Sequence, residues 1–267
     1  MHELAQLDAG TFILFTLVLT RVSALLMTAP IYGTPEVPLQ VRALFALALS
    51  LVVFPTQWGT SLSVPGGFLE YALLLGSELA VGLALGLGVT ILFSGIELAG
   101  HLIDQTSGLM LAEIFDPVQG ANTSIISRFL YVITVLVFVS IGGHRIVMAG
   151  LLDTFQTIPA GTAAVPPSLA QLLVTLVAQS FSLGIRAAAP VVASVLLANL
   201  VLGLIARAVP QLNILLIGLG MNALLALGVL GISLGAAVWV FEDHLEPTVS
   251  AVVDGLHGRE YAVESRQ

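Results

Sequence analysis

Long apolar runs separated by short polar links form the main pattern of this chain. The runs continue for tens of residues and lack the period-two alternation of exposed strands. Runs of this kind form helices that cross a hydrocarbon layer about 30 Å thick. A six-segment division places them at 11–29, 43–54, 68–100, 129–152, 169–206 and 212–241. The pattern predicts an all-α fold of the integral membrane type, built from helical hairpins with kinked helices.

Three of these runs depart from a standard membrane span. Run 43–54 reaches only about 18 Å as a helix, so it cannot cross unless neighbouring residues extend it. Run 169–206 is nearly twice as long as one membrane span and has Pro190 near its middle. It forms either one kinked helix or a hairpin. No turn signature supports the hairpin. Run 129–152 contains Gly-Gly-His-Arg at 142–145, where we expect a break.

Small residues four apart indicate where helices pack closely. Gly82 and Gly86 have this spacing in one run, and Gly231 and Gly235 have it in another. A glycine lets two helix backbones approach each other, and membrane helices often pack in this way. We therefore expect both helices to pack against another segment or chain.

Residues 105–124, QTSGLMLAEIFDPVQGANTS, form an unusual central segment between the two apolar halves. A water-exposed loop would not keep its large apolar side chains, and a membrane helix would not combine Glu113, Asp116 and Pro117. Irregular backbone at membrane depth is tolerated where protein surrounds it, which favours a protein-lined cavity or pore. The alternative is an amphipathic loop that lies on the lipid headgroups.

Composition supports a membrane protein and excludes several other classes. Hydrophobic residues make up 57% of the chain and charged residues only 9%, with a mean hydropathy of +1.04. The formal net charge of -8 argues against a nucleic-acid surface or a polybasic lipid-binding patch. Without cysteine there is no disulfide framework, thiolate nucleophile or cysteine metal site. The acidic start, with no basic residue ahead of the first apolar run, argues against a cleaved signal peptide.

Charged residues inside the apolar runs need partners. Arg21 requires a carboxylate, a group of carbonyls or water, unless its side chain extends to a nearby interface. For Glu70 and Glu78 we expect an arginine partner or a water-filled lumen, with a proton relay as the alternative. A polar stripe that should face protein or water contains Gln171, Gln179, Ser182 and Arg186. The short acidic tail after 241, which carries His244, His257, Arg259 and Arg266, is expected to be solvated.

Three potential metal ligands, Glu97, His101 and Asp104, lie on one helical face. Metal sites in helical bundles draw ligands from several helices, and no second cluster appears elsewhere in the sequence. A hydrogen-bonded turn at the start of the central segment is the favoured interpretation. No metal, cofactor or catalytic residue is predicted, and His144 is interpreted as part of a helix kink.

The order and spacing of these features resemble the FliR/SctT family of type III export gates, and the flagellar branch more than the injectisome branch. The resemblance covers nearly the whole chain, and R-x-x-P-Q-x-N at 207–213 is its most specific motif. It is carried by Arg21, Pro30, Gly33, Pro38, Arg42, Gly100, Gln105, Gly108, Asp116, Pro117, Gly143, His144, Arg207, Pro210, Gln211 and Asn213.

The resemblance implies a non-enzymatic subunit of a helical export-gate complex in the bacterial inner membrane, at the basal body of a flagellum or secretion system. FliP-like and FliQ-like subunits would complete the gate, and FlhB-like and FlhA-like components would work with it. Its central pore would pass unfolded export substrate polypeptides. The subunit would lie partly outside the bilayer, which argues against assigning outside termini from Arg42, Arg128 and Arg207 by the positive-inside rule.

The resemblance also implies roles for individual residues within one domain, 1–257. This domain would comprise helical halves at 1–104 and 125–241 and a plug at 105–124, with a polar tail at 242–267. The implied plug residues are Gly108, Leu109, Met110, Leu111, Ile114 and Phe115, in a loop shaped by Gln105, Asp116 and Pro117. The implied assembly or structural residues are Arg21, Pro30, Pro38, Arg42, Gly143, His144, Arg207, Pro210, Gln211 and Asn213.

Two other functions are compatible with parts of the sequence. A secondary transporter or solute channel would use broken helices and charged residues near the membrane centre, such as Glu78, Arg186 and Pro190. Its two halves should then show related hydropathy, which they do not obviously do. An intramembrane enzyme would use the Glu97 cluster with His144, but it lacks a matching second helix.

Overall fold

The described part of the chain consists of helices joined by short connections. The computed structural model describes residues 2–34, 37–59, 64–109, 124–164, 166–209, 211 and 214–256, with backbone alone at 2–9 and 214–216. No strand occurs in these ranges, which confirms the all-α prediction. The helices are α1 (His2–Thr28), α2 (Leu39–Val53), α3 (Phe68–Ser107), α4 (Ile125–Ser140), α5 (Gly143–Thr157), α6 (Ser168–Ala208) and α7 (Ile214–Leu256), with a 3-10 turn at Phe54–Gln57.

The helix lengths agree with the prediction of a membrane protein. Five helical stretches within the described ranges are long and apolar enough to cross a membrane, and α4 with α5 would make a sixth, interrupted span. Run 43–54 is extended by neighbouring residues, as a span would require, since α2 and the 3-10 turn together give 19 residues at Leu39–Gln57. The helix begins directly after Pro38, whose carbonyl accepts bonds from the N–H groups of Val41 and Arg42.

Glycines in the left-handed conformation end or separate the helices. Gly108 has φ 78° directly after α3, a position where glycine commonly ends a helix. Because α3 continues to Ser107, the first three residues of the predicted central segment are helical. Gly142 has φ 75° between α4 and α5, which confirms the predicted break and narrows it to Ile141 and Gly142.

The two longest helices contain proline. Helix α6 is continuous from Ser168 to Ala208 with Pro190 inside it, so the long helix rather than the hairpin is the correct alternative. Helix α7 continues well beyond Phe241, to Leu256. The expectation of solvated residues there holds for Glu242 and Asp243, which are exposed. It is wrong for the apolar face of the same segment, where Leu245, Val249, Ala251, Val252 and Leu256 are buried.

The chain divides into two compact units. The first comprises Met1–Ile91, Gly142–Leu176 and Leu245–Gln267, and the second comprises Leu92–Ile141 and Val177–His244. Helices α3, α6 and α7 contribute residues to both units. The core of the first unit includes Leu17, Val18, Leu25, Val81, Leu151 and Phe155. The second contains an aromatic cluster around Phe93, whose ring packs edge-on against Phe138 at 5.5 Å and Phe241 at 5.2 Å.

The first unit contains a close contact between α1 and α3. A Cβ added at Gly82 would overlap the carbonyl oxygen of Arg21, and one added at Gly86 would overlap the side chain of Thr28. Thr90 Oγ1 also donates to the Thr28 carbonyl at 2.6 Å, which satisfies an acceptor at the end of α1. The close packing predicted for the first glycine pair is confirmed, and its partner is a helix of the same chain.

Candidate functional site

Asp104 joins the two ends of the central segment. It lies buried on α3, and its Oδ2 accepts bonds from Ser124 Oγ and, at 2.9 Å, from the backbone N–H of Ile126. Ser124 is the N-cap of α4 and accepts a bond from Ser127 N at 3.1 Å. Side chains thus satisfy two of the first N–H groups of α4, and a carboxylate lies at the positive end of its dipole. The residues that flank 110–123 are therefore held together.

Close backbone packing reinforces this junction. A Cβ added at Gly100 would overlap the Cα of Ser127 and lie 2.6 Å from its nitrogen. Ser127 Oγ donates to the Glu97 carbonyl at 3.1 Å. The last turns of α3 and the first turn of α4 therefore meet with no side chain between them at Gly100. Any larger residue at this position would separate the two helices.

Most of the predicted plug lies outside the described residues. Gly108 and Leu109 form a half-buried turn after α3, and Gln105 is exposed on the last turn of that helix. The residues that lie outside are Met110, Leu111, Ile114, Phe115, Asp116 and Pro117. The plug role of this segment stays a prediction.

Arg21 lies in a buried ion pair in the first unit. Its Nε donates to Glu78 Oε2 at 2.5 Å, and both side chains are fully buried. Its Nη1 donates to the carbonyls of Thr154 at 3.1 Å and Ile158 at 2.9 Å, and its guanidinium carbon lies 4.3 Å from the centre of the Phe155 ring. A carboxylate and a group of carbonyls are among the partners expected for Arg21, and an arginine partner for Glu78 is confirmed. Extension of Arg21 to an interface is wrong.

Polar side chains from other segments complete this cluster. Glu78 Oε1 accepts a bond from the N–H of Gly161 at 2.8 Å. Gln57 is buried, donates to the Phe155 carbonyl at 3.1 Å and accepts from Ala160 N at 3.1 Å. The backbone at the end of α5 is therefore satisfied by side chains from three other segments, as a buried helix end requires. Sequence reasoning missed Gln57, whose only signal is a polar side chain directly after an apolar run.

Arg42 organises the connector between α1 and α2. Its guanidinium donates to the carbonyls of Val37 at 3.0 Å and Gly33 at 3.2 Å, and also to that of Thr34. Gly33 has no room for a side chain, because an added Cβ would lie 2.5 Å from the Met27 carbonyl oxygen. The predicted shaped connector is therefore confirmed. Arg42 serves as a clamp inside this connector.

The connector also makes an aromatic contact with α2, between half-buried Tyr32 and exposed Phe45. The Tyr32 ring stacks on Phe45 of α2, with ring centres 5.7 Å apart. Burial raises the pKa of the Tyr32 hydroxyl above its ordinary value. The connector is therefore packed against α2 by an aromatic contact as well as by hydrogen bonds.

The remaining predicted assembly residues are distributed over both units. Pro38 is exposed at the start of α2 near Arg42, whereas Pro30 is buried. Gly143 and His144 begin α5, with Gly143 buried and His144 half-buried. In the second unit Arg207 and Gln211 are exposed at and after the end of α6, and Pro210 and Asn213 lie outside the described residues. Their assembly roles stay predictions.

Of the three potential ligands Glu97, His101 and Asp104, only Asp104 has side-chain hydrogen bonds in the described part of the chain. The Asp104 carboxylate accepts a hydrogen bond from the start of α4, while His101 is exposed and Glu97 is half-buried. Within the described ranges, no group of three or more His, Asp or Glu side chains is placed to hold a metal ion. The hydrogen bonding expected at the start of the central segment is found for Asp104, but Asp104 lies within helix α3 and not in a turn.

Comparisons with known proteins agree with this architecture. The family described as "Bacterial export proteins, family 1" matches residues 12–248. The chain is 35% identical over 210 residues to the flagellar biosynthetic protein FliR of Bacillus subtilis (strain 168), which covers 77% of this chain and 80% of that protein. It is 30% identical to FliR of Aquifex aeolicus (strain VF5) over 235 residues, covering 87% and 90%. It is 31% identical to FliR of Escherichia coli (strain K12) over 221 residues, covering 82% of each. Together with the membrane-length helices and the order of the motifs, these matches show that the chain belongs to the family 1 bacterial export proteins, the family of the flagellar biosynthetic protein FliR.

Proposed function

We propose that this chain is a structural and pore-gating subunit of a flagellar-type protein export gate in the bacterial inner membrane. FliP-like and FliQ-like subunits would complete the channel, and residues 108–115 would form the plug that closes it to water and ions. Membership of the export family and the flagellar names of the relatives support this assignment. An apolar constriction suits the plug, because it excludes ions yet moves aside for a polypeptide.

The junction at Asp104 is the observation that carries the gating part of the proposal. A movable stopper needs a fixed base, so that it can be displaced without unfolding the helices that carry it. The bonds from Asp104 to Ser124 and Ile126, with the backbone contact at Gly100, provide such a base at both ends of the central segment. An ordinary linker between two spans would need no buried carboxylate at its base.

Exposed apolar side chains support the assembly part of the proposal. Large apolar residues are exposed on α2 and α7, including Val52 at 72%, Leu224 at 74% and Ile232 at 87%. Surfaces of this kind require lipid or other subunits. The transporter alternative gains no support, because Glu78 is bound by Arg21 and Gly161 and is not open to a solute pathway.

Ion leak through the assembled complex tests the plug. We expect that replacing residues 108–115 by a glycine–serine segment of equal length raises the ion leak of the purified complex in liposomes several-fold, since the apolar barrier is lost. The matched control replaces Leu109 by Met and Ile114 by Val, which keeps the segment apolar and should leave the leak low. Unchanged leak in correctly assembled glycine–serine complexes would reject the plug. Failure of the native chain to copurify with other small membrane subunits would reject the gate itself.

A further inference from the structure

Arg186 has no partner in the described part of the chain. It lies on α6 and is exposed, and the described residues offer its guanidinium neither an ion pair nor a hydrogen bond. Pro190 adds to this deficit, because it has no N–H to donate to the carbonyl four residues earlier, that of Arg186. The guanidinium of Arg186 therefore lies unpaired on an apolar helix, beside a backbone carbonyl that lacks its usual donor four residues later.

The unpaired groups share one face of α6. Gln179 and Ser182 precede Arg186 by seven and four residues, so all three point to the same side of the helix. Gln179 and Ser182 are exposed and make no side-chain hydrogen bond to the described residues. Ala189 and Ala193 continue this face and are also exposed, and their small side chains allow a neighbouring helix to approach. The α6 polar face is defined here as Gln179, Ser182, Arg186, Ala189 and Ala193.

Lipid alone does not account for the surroundings of this face. Exposed apolar side chains on α6 extend within the second unit from Val177 to Ile205. This stretch is roughly 42 Å long as a helix, against a hydrocarbon layer of about 30 Å. Even at a tilt of about 40°, the upper end of the usual range, it would rise about 32 Å.

In either possible position of the bilayer, part of α6 requires contact with another protein segment. If lipid covered the whole stretch, Arg186 would lie about 10 Å inside the hydrocarbon, beyond the easy reach of an extended side chain. If lipid covered only the residues after Arg186, the exposed side chains of Val177, Phe181 and Ile185 would need another apolar cover. A protein partner satisfies both cases, and a carboxylate on it would neutralise the guanidinium.

We propose that the α6 polar face is a docking surface for a membrane helix of another subunit, and that this helix carries an aspartate or glutamate opposite Arg186. The carboxylate accepts bonds from the guanidinium, while Gln179 and Ser182 bond polar groups beside it. The alanines let the partner helix lie close. The inference rests on the proposed function only in requiring that the chain assembles with other membrane subunits.

Charge exchange across the interface tests this proposal. We expect Arg186→Glu to reduce the partner subunits copurified with the tagged chain by at least about tenfold, since like charges would then face each other in a desolvated site. Arg186→Lys keeps the charge and should retain assembly. Changing the facing carboxylate of the partner to lysine should restore assembly of Arg186→Glu. Unimpaired assembly of Arg186→Glu would overturn the proposal.

A second measurement leaves Arg186 intact. The chain has no cysteine, so Ser182→Cys introduces a unique thiol for a photoactivatable crosslinker. We expect this thiol to crosslink to a partner peptide that contains the carboxylate, and to be shielded from water-soluble maleimide in the complex but not in the isolated chain. Free labelling of this thiol by maleimide in the complex would indicate a water-lined lumen. If a fluorophore attached to the thiol is quenched by bromolipid and no protein crosslink forms, the face is covered by lipid. Either result would overturn the docking surface, whereas absence of any copurifying subunit with the native chain would overturn the proposed function instead.

Discussion

Two arginines in apolar helices have opposite surroundings in the two units. In the first unit Arg21 is buried against Glu78, two backbone carbonyls and the ring of Phe155. In the second unit Arg186 is exposed and has no bond to the described residues. The first unit therefore supplies its arginine with a counter-charge and backbone acceptors from the same chain. The described residues of the second unit supply Arg186 with neither.

The two glycine pairs show the same contrast. Gly82 and Gly86 have no room for a side chain, because α1 packs directly against them. Gly231 and Gly235 have the same spacing on α7, but no described atom lies within 4 Å of a Cβ added at either position. Identical spacing thus serves internal packing in one unit and remains open in the other. The exposed pair has no assigned partner, and its predicted packing stays a prediction.

The largest effect is expected from removing the partner of Arg21. Glu78→Ala leaves a buried guanidinium without its counter-charge and should destabilise the first unit by about 3–5 kcal/mol. Arg186→Met should change the stability of the isolated chain by less than about 0.5 kcal/mol, because it breaks no bond within the described residues. Each unit holds one tryptophan, so denaturant titration followed by Trp58 in a Trp239→Phe background reports the first unit.

A double variant separates the ion pair from general damage at this site. Arg21→Met combined with Glu78→Met removes both charges and should cost clearly less than the sum of the two single changes. Strict additivity of the two changes would show that the pair contributes no coupling energy. The ion pair of Arg21 would then not distinguish its contribution to stability from that of the unpaired Arg186.

The next effect concerns the glycine pairs. Gly82→Ala should cost about 1–3 kcal/mol, because its Cβ would overlap the Arg21 carbonyl and separate α1 from α3. Gly231→Ala should be neutral or stabilise the isolated chain by up to about 1 kcal/mol through helix propensity. The same titration measures the first variant, and Trp239 in a Trp58→Phe background measures the second. Equal costs for both would remove the distinction between packed and open helices.

The smallest effect is expected at Asp104, whose hydrogen bonds join α3 to α4 inside the second unit. Asp104→Asn weakens charge-assisted bonds to Ser124 and Ile126 and should cost about 1–2 kcal/mol. Ser124→Ala, which removes the N-cap of α4, should cost about 1 kcal/mol and serves as the matched variant. Trp239 fluorescence during denaturation is the readout. A stability equal to the parent in both variants would contradict the proposed fixed base of the central segment.

Local features of this protein were predictable because they depend on neighbours along the chain. Apolar runs became helices, the connector after α1 was recognisable from its prolines and glycine, and the break at Ile141 and Gly142 lies where expected. Helix ends were less predictable. Helix α7 extends to Leu256 because Leu245 and Val249 find apolar cover in the first unit, which hydropathy along the sequence does not reveal.

The candidate site was predictable in its location but not in its bonds. The unusual composition of residues 105–124 marked the segment, and Asp104 was noticed as one of three potential ligands. Its role at the start of α4 depends on Ser124 and Ile126, which come near it only when α3 and α4 pack at Gly100. A carboxylate can bind a metal, an arginine or a helix end, and the sequence alone does not choose among them.

The sequence by itself determined that this chain is a helical membrane protein of an export family. Hydropathy, prolines and the order of the motifs can be recognised along the sequence without knowledge of the fold. Only the tertiary structure decided that Arg21 pairs with Glu78, 57 residues away, and that Arg186 has no ion pair or hydrogen bond with a described residue. Both arginines look alike in a helical run. Their difference arises from which helices approach each other, and that depends on packing across the whole chain.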